Sequence, residues 1–172
     1  APHDAKRVLI DLEIPVLSKG QILRNLRSFH SNKKIIEMMF SSAGSGVVTA
    51  EYPSLGDSSQ GFLESLGLSV PMARFRHTKT VMFYTTFIKH YDVQDTIKRQ
   101  IIRLHRQYGG CIHVGLGTIA PGVFGNEGIL SPRKLGHQLR FFRDEGIPEV
   151  TLYRLGGLTE EYLDTIMEVA PS

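Results

Sequence analysis

Two carboxylates spaced two residues apart are the first place where this sequence offers chemistry. Asp11 and Glu13 lie in the run Arg7-Val8-Leu9-Ile10-Asp11-Leu12-Glu13-Ile14. Its aliphatic and β-branched residues predict a buried strand closed by Pro15. Residues i and i+2 of a strand point to one face, so the two carboxyls are expected side by side. Such a neighbour pushes one of the two pKa values up, which keeps a general acid protonated near neutral pH. The same pair could share a divalent cation. Solvated rim carboxylates are the plainer account of the spacing.

Other reactive side chains fall after later strand-like runs. Tyr84 belongs to the β-prone stretch Thr80 to Phe87, with Lys89 and His90 just beyond it. Arg154 ends the run Pro148 to Arg154, where an arginine can clamp a carboxylate or phosphate, or pair with Asp11 or Glu13. Gly115-Leu116-Gly117-Thr118-Ile119-Ala120 has the spacing of a dinucleotide fingerprint. That chemistry needs a helix N-terminus directly after the glycines, and here Pro121-Gly122 intervenes. The segment therefore reads as a glycine-rich strand-end loop, carrying Thr118 and Asn126. No pair among the seven histidines has the helical spacing of metal ligands, so neither a metal nor a cofactor is expected. His113 reads as a core residue inside a strand, and Cys111 as a thiol packed in the same strand.

The elements that must position these groups follow from periodicity. Ser18 is suited to cap a helix with Ile22, Leu23, Leu26 and Phe29 on one face. Lys34 to Phe40 reads as a second strand, and Ser41 to Gly61, rich in glycine and serine, as a long loop. A short helix over Phe62 to Leu66 has Asp57 or a nearby serine as its cap. After the third strand, Asp92 or Asp95 opens a helix through Gln107, with Ile97, Ile101 and Leu104 on one face, and Gly109-Gly110 stops it. Cys111 to Leu116 is a fourth strand. Ser131-Pro132 opens the next helix, which runs to Glu145 before Gly146. Pro148 to Arg154 is the fifth strand, and Thr159 begins a terminal helix.

Five βα units predict a single α/β domain of parallel strands alternating with helices over residues 1–172. One architecture is a five-stranded open, doubly wound sheet. The other is part of a (β/α)₈ barrel, which takes about 250 residues when whole. In both, ligands sit beyond the carboxyl ends of the strands. That rule groups Asp11, Glu13, Tyr84, His90, Thr118, Asn126 and Arg154 as site candidates.

Asp11-Leu12-Glu13 ending a strand resembles the catalytic strand of chitinase-like and lysozyme-like (β/α)₈ glycoside hydrolases. Lys6, Arg7 and Leu9 stand where that family carries further aspartate and glycine, so the match covers the last three motif positions. Tyr84 resembles the strand tyrosine of such enzymes. The succession from about Cys111 to Ile166 resembles their last two βα units. The resemblance implies Glu13 as proton donor, Asp11 as its partner and Tyr84 as a positioning group. Arg154, Thr118, Asn126 and His90 would contact a glycan or other small polar ligand. It also implies a barrel completed by a second chain or subunit. Ile10-Asp11-Leu12-Glu13 further resembles the first motif of DnaQ-like exonucleases, with His90 and Asp95 at the spacing of their third, which implies a metal-dependent nuclease. An alternative from another class is a non-catalytic protein that binds a partner through its strand ends.

Composition narrows the field. The chain has 172 residues, 41% apolar and 22% charged, which excludes a disordered segment, a collagen-like fibre and a coiled coil. No apolar run approaches the ~18–20 residues that span a bilayer, so no membrane partner is expected. The net charge is +3, densest at Lys98, Arg99, Arg103, His105 and Arg106. A nucleic-acid binder usually shows a larger excess with interleaved aromatics, which argues against that partner. Tryptophan is absent, so stacking on a sugar would fall to Tyr84, Phe87, Tyr91, Phe124 and Tyr153.

Overall fold

Parallel strands cannot be joined by tight turns, and each pair needs a long crossover. The sequence supplies a helix each time, and the chain folds as an α/β protein of five parallel strands alternating with helices. The computed structural model describes residues 8–12, 26–43, 46–121 and 128–170, excepting the side chains of 26, 27, 30, 43 and 155. The chain divides into two compact units, Ala1–Val81 and Met82–Ser172.

In the first unit, β1 (Val8–Leu12), α1 (Leu26–Ala43), β2 (Val47–Glu51) and α2 (Asp57–Leu66) lead into β3 (Thr78–Phe83), which runs through the boundary. β2 pairs with both neighbours: Val8 stands opposite Val47, Leu12 opposite Glu51, and Thr49 opposite Lys79. Leu12, Val47, Phe40 and Val70 form the core of this unit, with Ile10, Ile36 and Phe75 packed against them.

Here the structure corrects two expectations. Lys34 to Phe40 is not a strand but the middle of α1. The run is apolar and contains two isoleucines, yet its burial has helical period. Phe29 and Phe40 are buried, while Ile35, Met38 and Met39 are 50%, 63% and 41% exposed. A continuous apolar run alone does not tell a strand from a helix. The second correction follows from the first. The expected loop from Ser41 to Gly61 contains β2 and the first turn of α2. Five residues, Val47-Val48-Thr49-Ala50-Glu51, are enough for a strand, and the flanking glycines and serines concealed them.

α2 also begins at Asp57, five residues before Phe62, with Gly56 rather than a side chain at its cap. Ser59 Oγ instead accepts from the Leu55 amide at 2.7 Å and donates to the Gly56 carbonyl at 2.9 Å. Gly67 ends the helix at φ 73°, a left-handed conformation that favours glycine. A Cβ there would also approach Lys33 Cβ to 2.8 Å. α1 and α2 meet at that point.

The second unit holds the end of β3, then α3 (Tyr91–Tyr108), β4 (Ile112–Gly117), α4 (Pro132–Asp144), β5 (Val150–Tyr153) and α5 (Glu160–Val169). β4 and β5 pair in parallel from Val114 opposite Val150 to Gly117 opposite Tyr153. Within each unit the strands stand in chain order. α4 starts as expected, with Pro132 in its first turn and Ser131 Oγ accepting from the Lys134 amide at 3.5 Å. α3 is capped by His90 rather than Asp92 or Asp95, and Asp92 lies in its first turn, where the helix dipole favours a carboxylate. Cys111 lies half-buried in a 3₁₀ turn before β4, not in the strand. β3 stops at Phe83, two residues beyond Val81, its last residue paired with β2. Tyr84 to Phe87 is consequently a turn, closed by the Phe87 amide on the Tyr84 carbonyl at 3.0 Å.

Phe83, Ile101, Ile112, Leu116, Leu135 and Phe142 are fully buried in this unit. Phe83 and Phe142 meet edge to face with centroids 5.7 Å apart. Replacing Phe142 by alanine is expected to cost about 3–5 kcal/mol. Met167→Ala, at a position 73% exposed on α5, should change stability by less than about 0.5 kcal/mol. Equilibrium urea unfolding of both variants checks this, and equal losses would refute the assigned core.

Candidate functional site

The ends of β3, β4 and β5 bring together most of the described site candidates of the second unit. Tyr84 follows β3, and Tyr153 ends β5. Their rings meet edge to face at 5.7 Å, and Phe87 lies 6.3 Å from Tyr84. Tyr84 and Tyr153 are half-buried, whereas Phe87 is 54% exposed. Gly117, the last residue of β4, lies against the Tyr84 ring. A Cβ at this position would stand 2.9 Å from two ring carbons, so a side chain would push the ring aside. The glycine that fitted a nucleotide fingerprint thus makes room for an aromatic ring.

The loop after β4 is tied at its base. The Thr118 hydroxyl donates to the Gly128 carbonyl at 2.6 Å, and the Leu130 amide donates to the Thr118 carbonyl at 2.7 Å. Thr118 is buried, so its polar groups act inward. Arg154 is exposed, and its Nη1 donates to the Pro121 carbonyl at 2.9 Å. Gln138 of α4 donates to the Thr85 hydroxyl at 2.7 Å and fixes the turn that carries Tyr84. His90 stands exposed at the start of α3. Asn126 and Glu13 lie outside the described residues.

Asp11 belongs to the first unit. It pairs with Ala50, which in turn pairs with Thr80. By strand alternation it occupies the face opposite Leu12 and Glu51, away from the core under α1. Partial burial pushes its carboxyl above the usual carboxylate range.

The face of Leu12 and Glu51, opposite Asp11, holds a polar cluster which the sequence reading missed. Thr49 and Glu51 of β2, His77 and Lys79 are all buried. Lys79 Nζ stands 2.9 Å from Glu51 Oε2 and donates to Ser69 Oγ at 3.1 Å. Ser69 donates to Glu51 Oε2, Thr49 donates to Oε1 at 2.7 Å, and the Val70 amide reaches Oε1 at 3.3 Å. Gln60 of α2 donates to Ser69 at 2.8 Å and to Glu64 at 2.7 Å. Burial alone would push the Glu51 carboxyl up, but its neighbours hold it below the usual carboxylate range. His77 Nε2 stands 3.7 Å from Oε1, beyond hydrogen-bond range, so the shorter contacts from Lys79, Ser69 and Thr49 carry the effect.

A serine between a lysine and a carboxylate invites a nucleophilic reading. The Ser69 hydroxyl, however, already gives its proton to Glu51 and accepts from Lys79 and Gln60. The adjoining cleft, lined by Lys33, Phe40, Ser69, Val70 and Phe75, has room for about one water molecule. This cluster locks β2, β3, α2 and the segment 67–77 together and is not placed to react. Its sequence signal was the charge at alternate positions of two β-branched runs, Val47-x-Thr49-x-Glu51 and His77-x-Lys79-x-Val81.

Among the described residues, no group of three His, Cys, Asp or Glu side chains could hold a metal ion. No described helix is long and apolar enough to cross a membrane. The chain matches no protein-family model and no curated protein.

Breaking the ion pair from one side should be costly. Lys79→Met leaves Glu51 buried and unpaired, an expected loss of about 3–5 kcal/mol. The double variant Glu51→Leu/Lys79→Met should recover most of that loss in chemical denaturation. If the double variant is no better than the single, the pair is not what stabilises this face. The depressed Glu51 pKa also fixes a sign. Its contribution is complete above about pH 4.3, the ordinary glutamate value, and is lost as pH falls through the lower folded value. Glu51→Gln should therefore flatten the acid limb of a stability–pH profile, and an unchanged limb would contradict the assignment.

Proposed function

We propose that this protein binds a glycan at the carboxyl ends of the strands of its second unit. The observation that carries the reading is the edge-to-face pair of Tyr84 and Tyr153 at two strand ends, with the exposed ring of Phe87 beside it. Aromatic rings accept the apolar C–H faces of sugars, and in a chain without tryptophan these are rings that the described strand ends offer. Arg154 adds a planar donor at the same edge, suited to ring hydroxyls or a sugar carboxylate. Gly117 supports the reading from below, since it alone lets the Tyr84 ring lie against β4.

Bond cleavage is a separate, finer proposal that rests on the sequence pattern Asp11-Leu12-Glu13. Cleavage needs a proton donor, and partial burial favours the protonated form of Asp11. The glycoside-hydrolase resemblance assigns that role to Glu13, with Asp11 as its partner. A strand-end protein that binds glycans without cleaving them would need only the aromatic part.

Calorimetric titration against chito-, cello- and manno-oligosaccharides tests the binding. Tyr84→Ala is expected to weaken the best ligand about tenfold, or ~1.4 kcal/mol. Gly117→Ala should do the same by displacing the ring, with Phe87→Ala intermediate. Absence of binding across the panel, or indifference to Tyr84→Ala, would sink the proposal. Reducing-end release separates the two parts: activity unchanged in Glu13→Gln removes the hydrolytic role and leaves binding intact.

A further inference from the structure

The net charge of the chain conceals how unevenly that charge is placed. No acidic residue occurs between Asp95 and Glu127, a stretch that contains Lys98, Arg99, Arg103 and Arg106. Sixteen cations and all seventeen acids lie elsewhere, so the rest of the chain is slightly acidic and this segment supplies the whole excess. The fold then sets the excess on one surface. α3 buries Ile97, Gln100 and Ile101. Arg99, Arg103 and Arg106, spaced i, i+4 and i+7, are all exposed on its outward side. The acids Asp92 and Asp95 are confined to the beginning of the helix, and Lys98 is drawn to Asp95 at 3.6 Å and lies over the Phe141 ring at 5.0 Å.

We propose that the outward face of α3 binds the phosphate backbone of a nucleic acid, without reading its sequence. Three arginines in line span about 10 Å at 1.5 Å per residue, roughly the axial distance from the first to the fourth phosphate of one strand at 3.4 Å per step. All three positions carry guanidinium rather than ammonium groups, the planar fork that grips phosphate through two hydrogen bonds. Arg99 Nη2 donates to Thr96 Oγ1 at 3.1 Å, which holds that fork along the helix. Complementing the helix dipole accounts for Arg106 in the last turn. It does not account for Arg99 and Arg103, which lie beyond the reach of that terminus. An anionic membrane fits less well. The apolar side of α3 is committed to the core, leaving nothing to enter the acyl region, and three cations fall short of the 4–8 of polybasic lipid-binding clusters. This surface is separate from the strand-end site, and neither reading depends on the other.

Fluorescence anisotropy with a labelled 20-base-pair DNA duplex, over a series of KCl concentrations, is the direct test. Micromolar binding at low salt is expected, with a slope of log affinity against log salt of about −2.7 for three neutralised phosphates. The variant Arg99→Gln/Arg103→Gln/Arg106→Gln keeps good helix formers at solvent-facing positions. It should retain its circular dichroism, lose at least about tenfold in affinity, and flatten the slope. Arg133→Gln/Lys134→Gln, which removes two exposed cations from α4, should stay within about twofold of the parent. The proposal is overturned by no duplex binding at low salt, or by equal losses in the two variants. Tighter binding to polyglutamate or to phosphatidylserine vesicles than to the duplex would overturn it as well.

Discussion

The ion pair between Glu51 and Lys79, 2.9 Å apart and out of contact with water, is the constraint on which the first unit depends. Burying each ion costs several kcal/mol, and the attraction between them repays this only when the remaining polar valences are also met. Thr49, Ser69, the Val70 amide and Gln60 meet them. The result fixes register. Sliding β2 by one residue against β3 would turn Glu51 to the opposite face and leave Lys79 buried without its counter-ion. Thr49 opposite Lys79 is therefore specified by charge as well as by shape. The same contacts tie α2 and the segment leading into β3 to the sheet. Apolar packing of Phe40, Val47 and Val70 alone would favour compactness more than one particular alignment.

In the second unit the corresponding constraint is steric. Gly117 at the end of β4 leaves a space that the Tyr84 ring fills, and Tyr153 meets that ring from β5. The turn after β3 is held from the other side by Gln138 of α4. A short loop segment thus inherits its position from two strands and a helix, which is how a rigid scaffold presents side chains on flexible connections. The tied base of the loop after β4, from Thr118 to Leu130, serves the same end.

The second unit was largely legible in the sequence because its signals are local. Ser131-Pro132 states a helix start, Gly146 a stop, and Ile112-His113-Val114 a strand, each within a few residues. α1 was not legible, since Ile35-Ile36-Glu37-Met38-Met39-Phe40 satisfies a strand as well as a helix until burial shows which side chains turn inward. With that run read as a strand, the five residues of β2 pass for a loop flanked by glycine and serine. The candidate site was legible in part. Tyr84 and Arg154 were found by the strand-end rule, which depends only on the order of elements. Tyr153, which meets Tyr84, stands out in the sequence only as an aromatic, because the pairing of two rings 69 residues apart has no local signal.

Charge illustrates the same limit from both ends. Glu51 reads along the chain as part of a glycine- and serine-rich loop and Lys79 as a residue just before the third strand, and the fold buries both. Arg99, Arg103 and Arg106 read as part of a modest overall excess, and α3 makes them an exposed row with its acids set apart at the helix start. A sum over the sequence weighs these five residues alike. Solvent does not: the buried pair is shielded from salt and acts on register, whereas the row is screened within about 8–10 Å at physiological salt. The field of the row therefore reaches only a partner brought close to the helix surface. What a charged residue does in this protein is set by which face of a strand or helix carries it, and that follows from periodicity before it follows from composition.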